Sequence, residues 1–253
     1  LTVYAKRVID ATDLGDVYAA AGAAYDLGTE DSTQSGEKIA PGKSDVIQDL
    51  TWAAVLKDYG KGANKTISMP PNYDATKYYC STADAPCNAK PYSLGTQKVL
   101  DYGRVKTTDG SLKYMLNWPA FGNDYYINVV EKKPIEREAY YNAAKNFTRG
   151  FIYFLQTELK QPNIGLATDE VNEGMAFMAY NREGRRLKGK VRLNIDHIAT
   201  PFNYNVYRTG ISVGDYPVDH HHARYNGKVP PIPFPAVPSF NIPMGALIPE
   251  NTQ

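Results

Sequence analysis

The sequence predicts an α+β fold. It would hold a mixed or antiparallel sheet, a long packed helix and extensive irregular loops. Three observations lead there. Ala143, Phe147, Phe151 and Leu155 recur every four residues, with Ala139 and Phe154 on the same side, so 134–159 reads as a helix buried along one stripe. Residues 187–195 (LKGKVRLNI) alternate strictly, which reads as a strand with one solvated face. Eight of the 17 prolines fall between Pro217 and Pro249, which enforces an extended, irregular stretch.

The elements follow in chain order. Residues 2–9 (TVYAKRVI) read as a strand that Asp10, Ala11 and Thr12 end. Asp13 reads as the N-cap of a helix over 14–21, closed by Gly22. A strand running into a helix start makes a natural anion site, because free N–H groups converge there. Residues 28–45 are polar with Gly, Ser and Pro and read as a loop. Residues 46–56 fit strand or helix. Residues 60–98, rich in Pro, Asn, Tyr and Gly, read as irregular. Thr107 to Gly110 is a turn, followed by a strand from Leu112. Pro134 suits the first position of the long helix. A second helix fits 168–181, and a further strand fits 204–213.

Composition narrows the function classes. The chain has 253 residues and a formal charge of +1, which argues against nucleic acid as a partner. No stretch approaches the roughly 18–20 apolar residues of a membrane span. Leu, Ile, Val and Phe number only 53, and 20 tyrosines compensate. A tyrosine buries a large ring but needs a partner for its hydroxyl, so the core or a cleft should be aromatic and polar. The opening on Leu1, without a leader, suggests a portion of a longer protein.

Cys80 and Cys87 enclose a short loop containing Pro86. They read as a disulfide or as two surface thiols. A disulfide points to a secreted or periplasmic setting, with the cytoplasm as the alternative. The sequons at Asn64 and Asn146 are compatible with export. No CxxC pair supports a metal.

Three constellations could carry chemistry. His220, His221 and His222 follow Asp215, Tyr216 and Asp219, and histidine is the side chain that titrates near neutrality. An active-site cluster, a surface cluster and a metal site all fit them. Arg182, Arg185 and Arg186 share one face of a helical turn, which suits either an anion or a solvated ion-pair network. Asn117, Trp118, Asn123 and Tyr125 surround Pro119 and Gly122. That arrangement fits a rigid polar binding loop or a plain connection. No GxGxxG, P-loop, GxSxG or HExxH occurs.

VIDATDLGDVYAAAGAAYDLGTE, MPPNYD, NWPAFGNDY, LQTEL, NREGRRLKG, GISVGDYPVDHHH and FNIPMGALIPE stand in this order. Together they resemble a family of FAD-dependent oxidoreductases of the glutathione-reductase type. Some members of that family carry a xanthan lyase label. The resemblance runs from about residue 3 to 249. It implies FAD as cofactor and hydride transfer with a small polar or carbohydrate-like substrate. It places Asp10, Ala11, Thr12 and Gly15 beside the cofactor, with Asp13 where the family has glycine. It carries the catalytic side to Arg182, Arg186, His221 and His222. Asn117, Trp118, Asn123, Tyr125 and Tyr216 would contact substrate. Residues 1–27 would form the edge of the FAD-binding domain, 28–240 the substrate or cap domain, and 241–253 the return segment. The βαβ unit that cradles the FAD diphosphate is missing from this pattern, so FAD-binding segments of the same protein are the expected partners. The alternative class is a non-catalytic glycan-binding or structural module of a secreted protein. A metal hydrolase built on the histidine run is a third.

Overall fold

A computed structural model describes residues 2–37, 42–87, 94–117, 122–189 and 192–199, together with 203, 222–223 and 232–233. The fold is α+β, with small antiparallel sheets and one long helix, as the sequence predicts. In chain order the elements are α1 (Asp16–Ala20), β1 (Tyr25–Asp26), α2 (Ser32–Ser35), β2 (Leu50–Thr51) and β3 (Ala54–Asp58). Then come α3 (Thr96–Tyr102), β4 (Arg104–Lys106), β5 (Leu112–Leu116), β6 (Asp124–Tyr125), α4 (Pro134–Thr157) and β7 (Ile164–Leu166). The last are β8 (Tyr180–Asn181), β9 (Arg186–Leu187), α5 (Ile195–Ala199), β10 (His222–Ala223) and β11 (Ile232–Pro233). Short 3-10 turns occupy Ala75–Tyr78 and Val171–Gly174. The described residues form two compact units. One holds Asp49 to Arg182; the other holds the residues up to Gln48 and those from Glu183 onward.

In the first of these units, an antiparallel sheet runs in the order β4-β5-β3-β7. Leu56 pairs with Tyr114 on one side and Leu166 on the other, and is fully buried. Helix α4 starts as expected, with Pro134 in its first turn and the Glu136 carboxylate accepting the Lys133 N–H at 2.9 Å. It lies against β7, β6 and the turn Ala75–Tyr78. Phe151, Ile152, Phe154 and Leu155 are buried there. Each such side chain stabilises the fold by roughly 1.5–3 kcal/mol. The tyrosines complete this core, as their abundance foretells. Tyr78 packs against Phe147, Phe151 and Phe154, and its hydroxyl donates to the Phe147 carbonyl at 2.9 Å. A Cβ on Gly150 would meet that hydroxyl at 2.0 Å, so this helical position is closed to side chains. Cys80 and Cys87 form a disulfide.

In the other unit, β1 pairs antiparallel with β9, matching Tyr25 to Leu187, and β10 pairs with β11. Several elements differ from expectation. Residues 2–9 have no strand partner among the described residues, and Val3, Tyr4, Val8 and Ile9 are exposed. Strand-like side chains do not suffice without backbone partners. Helix α1 is capped at Gly15 instead of Asp13. Among the described residues of the strand expected over 187–195, only Leu187 lies in a ladder, and α5 begins at Ile195. Here polar partners override alternation: the Ile195 N–H donates to Glu37 at 2.7 Å, and Arg192 pairs with Glu30 at 2.8 Å. The helix over 168–181 is replaced by a 3-10 turn and β8, because Met175 bridges Ala54 and the Ala176 N–H donates to the Ala53 carbonyl at 3.0 Å. The loop 28–45 contains α2, capped by Asp31 and Gln34. Helix α3 begins within the stretch 60–98 expected to be irregular, and the ambiguous 46–56 holds β2 and the start of β3. The strand over 204–213 lies outside the described residues.

Candidate functional site

The segment from Asp10 to Tyr18 is built around one carboxylate. Asp10 accepts the Thr12 hydroxyl at 2.7 Å, the Thr12 N–H at 2.8 Å and the Tyr18 N–H at 2.8 Å. The Thr12 hydroxyl, with the backbone donors behind it, holds the Asp10 carboxyl below its ordinary value. Thr12 Oγ1 in turn accepts the Asp16 N–H at 2.9 Å. Donors that a helix start would offer an external anion are thus taken by side chains of the segment itself. Gly15 has φ +70, and a Cβ there would meet the Tyr18 hydroxyl at 2.2 Å. That hydroxyl donates to the Arg185 carbonyl at 2.6 Å.

Arg185 closes the arrangement. Its guanidinium donates to the Leu14 carbonyl at 2.9 Å and to Asp16 at 2.7 Å, and lies over the Tyr25 ring. Beside it, Arg186 pairs with Glu183 at 2.7 Å and Glu30 at 3.2 Å, and donates to the Gly28 carbonyl. Arg192 joins Glu30 to Asp26, and Lys188 reaches Asp26 at 3.1 Å. Burial pushes the Glu183 carboxyl up, against the Gln48 N–H and Arg186 that favour its charge.

A flavin dinucleotide fits this segment in part. Ala11, Thr12 and Asp13 are exposed and could border an uncharged portion of such a cofactor. The helix start does not fit the diphosphate, because Asp10 and Thr12 already occupy its donors.

In the Asp49–Arg182 unit, a small sheet in the order β6-β2-β8 assembles a buried ion cluster. Thr51 stands opposite both Asp124 and Tyr180. Arg182, with its side chain 5% exposed, pairs with Asp124 at 3.1 Å and with Asp49 at 3.7 Å. It also donates to the Asp49 carbonyl at 3.2 Å and lies over the Tyr180 ring. The Thr51 hydroxyl donates to Asp124. Next to it, Asn123 is fully buried and donates to the Leu116 carbonyl at 3.0 Å and the Trp52 carbonyl at 3.3 Å. One guanidinium between two carboxylates ties the end of β8 to Asp124 of β6 and to Asp49 just before β2, while Asn123 ties Leu116 to Trp52.

The predicted residues therefore divide. Arg182 and Arg186 belong to different units and both sit in ion pairs. Asn117 is half-buried just after β5, Asn123 is buried, and Tyr125 packs on Phe147. His222 lies in β10 opposite Pro233. Trp118, Tyr216 and His221 lie outside the described residues. Sequence reasoning missed Asp49 and Asp124 as partners, whereas Arg185 stood in the arginine constellation and takes its ion-pair alternative with Asp16. Asp124 stood inside a quoted motif; Asp49 carries no local signal. Among the described residues, no group of three or more His, Cys, Asp or Glu is placed to hold a metal ion. No described helix is long and apolar enough to cross a membrane.

A family model described as FAD dependent oxidoreductase matches residues 1–253. No curated protein and no solved structure matches the chain.

Proposed function

The chain belongs to the FAD-dependent oxidoreductase family, and from that premise we propose that it forms the substrate-domain portion of such an enzyme. The reaction would be hydride transfer between flavin and a small polar or carbohydrate-like substrate. The observation that carries this reading is the family match over the whole chain. It is supported by how the motifs pair: Asp124 of NWPAFGNDY with Arg182 of NREGRR, and the Asp10–Tyr18 segment with Arg185.

FAD, when bound, supplies the hydride-accepting ring. The chain's own residues would do the rest. An imidazole nitrogen of His221 or His222 would take the substrate proton. Asn117, Trp118, Tyr125 and Tyr216 would border the substrate, with Asn123 holding their loop. Arg182 and Arg186 would act as positioning residues, given the carboxylates each already holds. Residues 1–27 would belong to the edge of the FAD-binding domain, 28–240 to the substrate domain and 241–253 to a return segment. Diphosphate contacts would come from other segments of the same protein. The disulfide supports a secreted or periplasmic setting.

The test is flavin reduction by substrate in the full-length protein. His221→Gln with His222→Gln should slow it by about 10²–10⁴-fold, with FAD content unchanged. An unchanged rate removes both histidines from the reaction. The disulfide and the tyrosine-rich core also favour a second reading, a glycan-binding module of a secreted protein. A colourless full-length protein that binds oligosaccharide would select it.

A further inference from the structure

Helix α4 turns a second face away from the aromatic core, toward a hollow of about 510 Å³. Asn142, Lys145, Asn146 and Arg149 line one wall; Asn172 and Glu173 line the other. Spacing of four residues stacks Lys145 on Arg149 and Asn142 on Asn146 along the helix. Lys145 lies over the Trp52 ring at 4.4 Å, while Arg149 makes no ion pair with a described residue. Two cations face one carboxylate here, so the wall carries net positive charge. The opposite wall is held in an unusual backbone shape. Asn172 and Glu173 adopt left-handed φ values of 52° and 54°, a conformation that costs free energy and recurs at ligand sites.

An adjoining hollow of about 290 Å³ shares Asn146 and Arg149 and is otherwise mostly apolar, lined by Ile67, Met69, Pro70, Pro71 and Leu166. Met69, Pro70 and Pro71 open the MPPNYD motif, to which the proposed flavin chemistry gives no role. Arg149 stands where the polar and apolar hollows meet. A ligand that satisfies both must pair an anionic head with an apolar body.

We propose that this cleft binds a small organic oxyanion, a carboxylate or phosphate carried on an apolar group. The head would sit on Lys145 and Arg149, and the body against Met69, Pro70 and Leu166. The inference does not depend on flavin and is tested without it.

The experiment titrates benzoate, phenyl phosphate and neutral benzyl alcohol into the full chain, read by amide NMR. Saturable shifts around 142–149, 172–175 and 67–71 with an anion, and not with benzyl alcohol, are expected. Response to benzoate alone identifies a carboxylate ligand, and response to phenyl phosphate alone identifies a phosphate. Arg149→Gln should weaken binding by about tenfold or more, because a charge-assisted contact is lost. Lys145→Gln supplies the same test should Arg149→Gln melt early. The proposal is overturned if neither anion saturates, if benzyl alcohol binds equally well, or if a folded variant keeps full affinity.

Discussion

Arg182 illustrates how a charge can be buried and still informative. Its guanidinium sits between Asp124 and Asp49, and both carboxylates are as buried as it is. Removing the cation would leave two carboxylates in a poorly solvated place. Arg182→Met should therefore cost about 3–5 kcal/mol, read from the urea midpoint. A neutral effect would mean that water reaches the pair. A different charge pattern lies on the sheet. Lys57 and Lys113 stand directly opposite in register, and Asp169 bridges them at 3.0 and 2.9 Å. Lys113, then Lys57, lower the Asp169 carboxyl from 3.8 to about 2. A carboxyl lowered in the folded state stabilises above its unfolded value, and that stability is lost as pH falls through the folded value. Stability should drop between pH 3.8 and about 2. Asp169→Asn should flatten that acid limb, which urea midpoints measured across the range would show. An unchanged limb would assign it to other carboxylates.

Among the elements, α4 was the most legible, because its start signal and its apolar spacing are both local. Its least legible feature is Gly150, which opens the helix to the Tyr78 hydroxyl. In an open helix, glycine to alanine gains about 1 kcal/mol. Here the new Cβ would sit 2.0 Å from an oxygen. Gly150→Ala should instead lose about 1–3 kcal/mol, and adding Tyr78→Phe should recover part of that loss. Equal stability of both variants would place the clash elsewhere. The Cys80–Cys87 bridge should contribute about 2–3 kcal/mol to its unit, as the shift of the urea midpoint on reduction would reveal. The strands were harder to read than the helix. Leu112–Leu116 stood out by its preceding turn, whereas 2–9 and, beyond Leu187, the described residues up to 195 had the right side chains but no strand partners among the described residues. Pairing is decided by distant residues such as Ala53 and Glu37, which local pattern cannot supply.

For the whole molecule, the division at Gln48 and Arg182 was invisible in composition. The chain leaves one unit and returns more than a hundred residues later, with no change of residue type to mark either crossing. The NREGRR stretch spans the second crossing, giving Arg182 to one unit and Arg185 and Arg186 to the other. Motif order made this stretch conspicuous, but only the fold supplies its partners Asp49, Asp124 and Asp16. The family match covers residues 1–253, and its decisive test likewise concerns the whole protein. That test is the visible absorption spectrum of the full-length protein, before and after FAD titration. A flavin spectrum is expected at one FAD per chain, bleached on adding a reducing substrate. A protein that is colourless once unbound FAD has been removed after the titration would contradict that expectation.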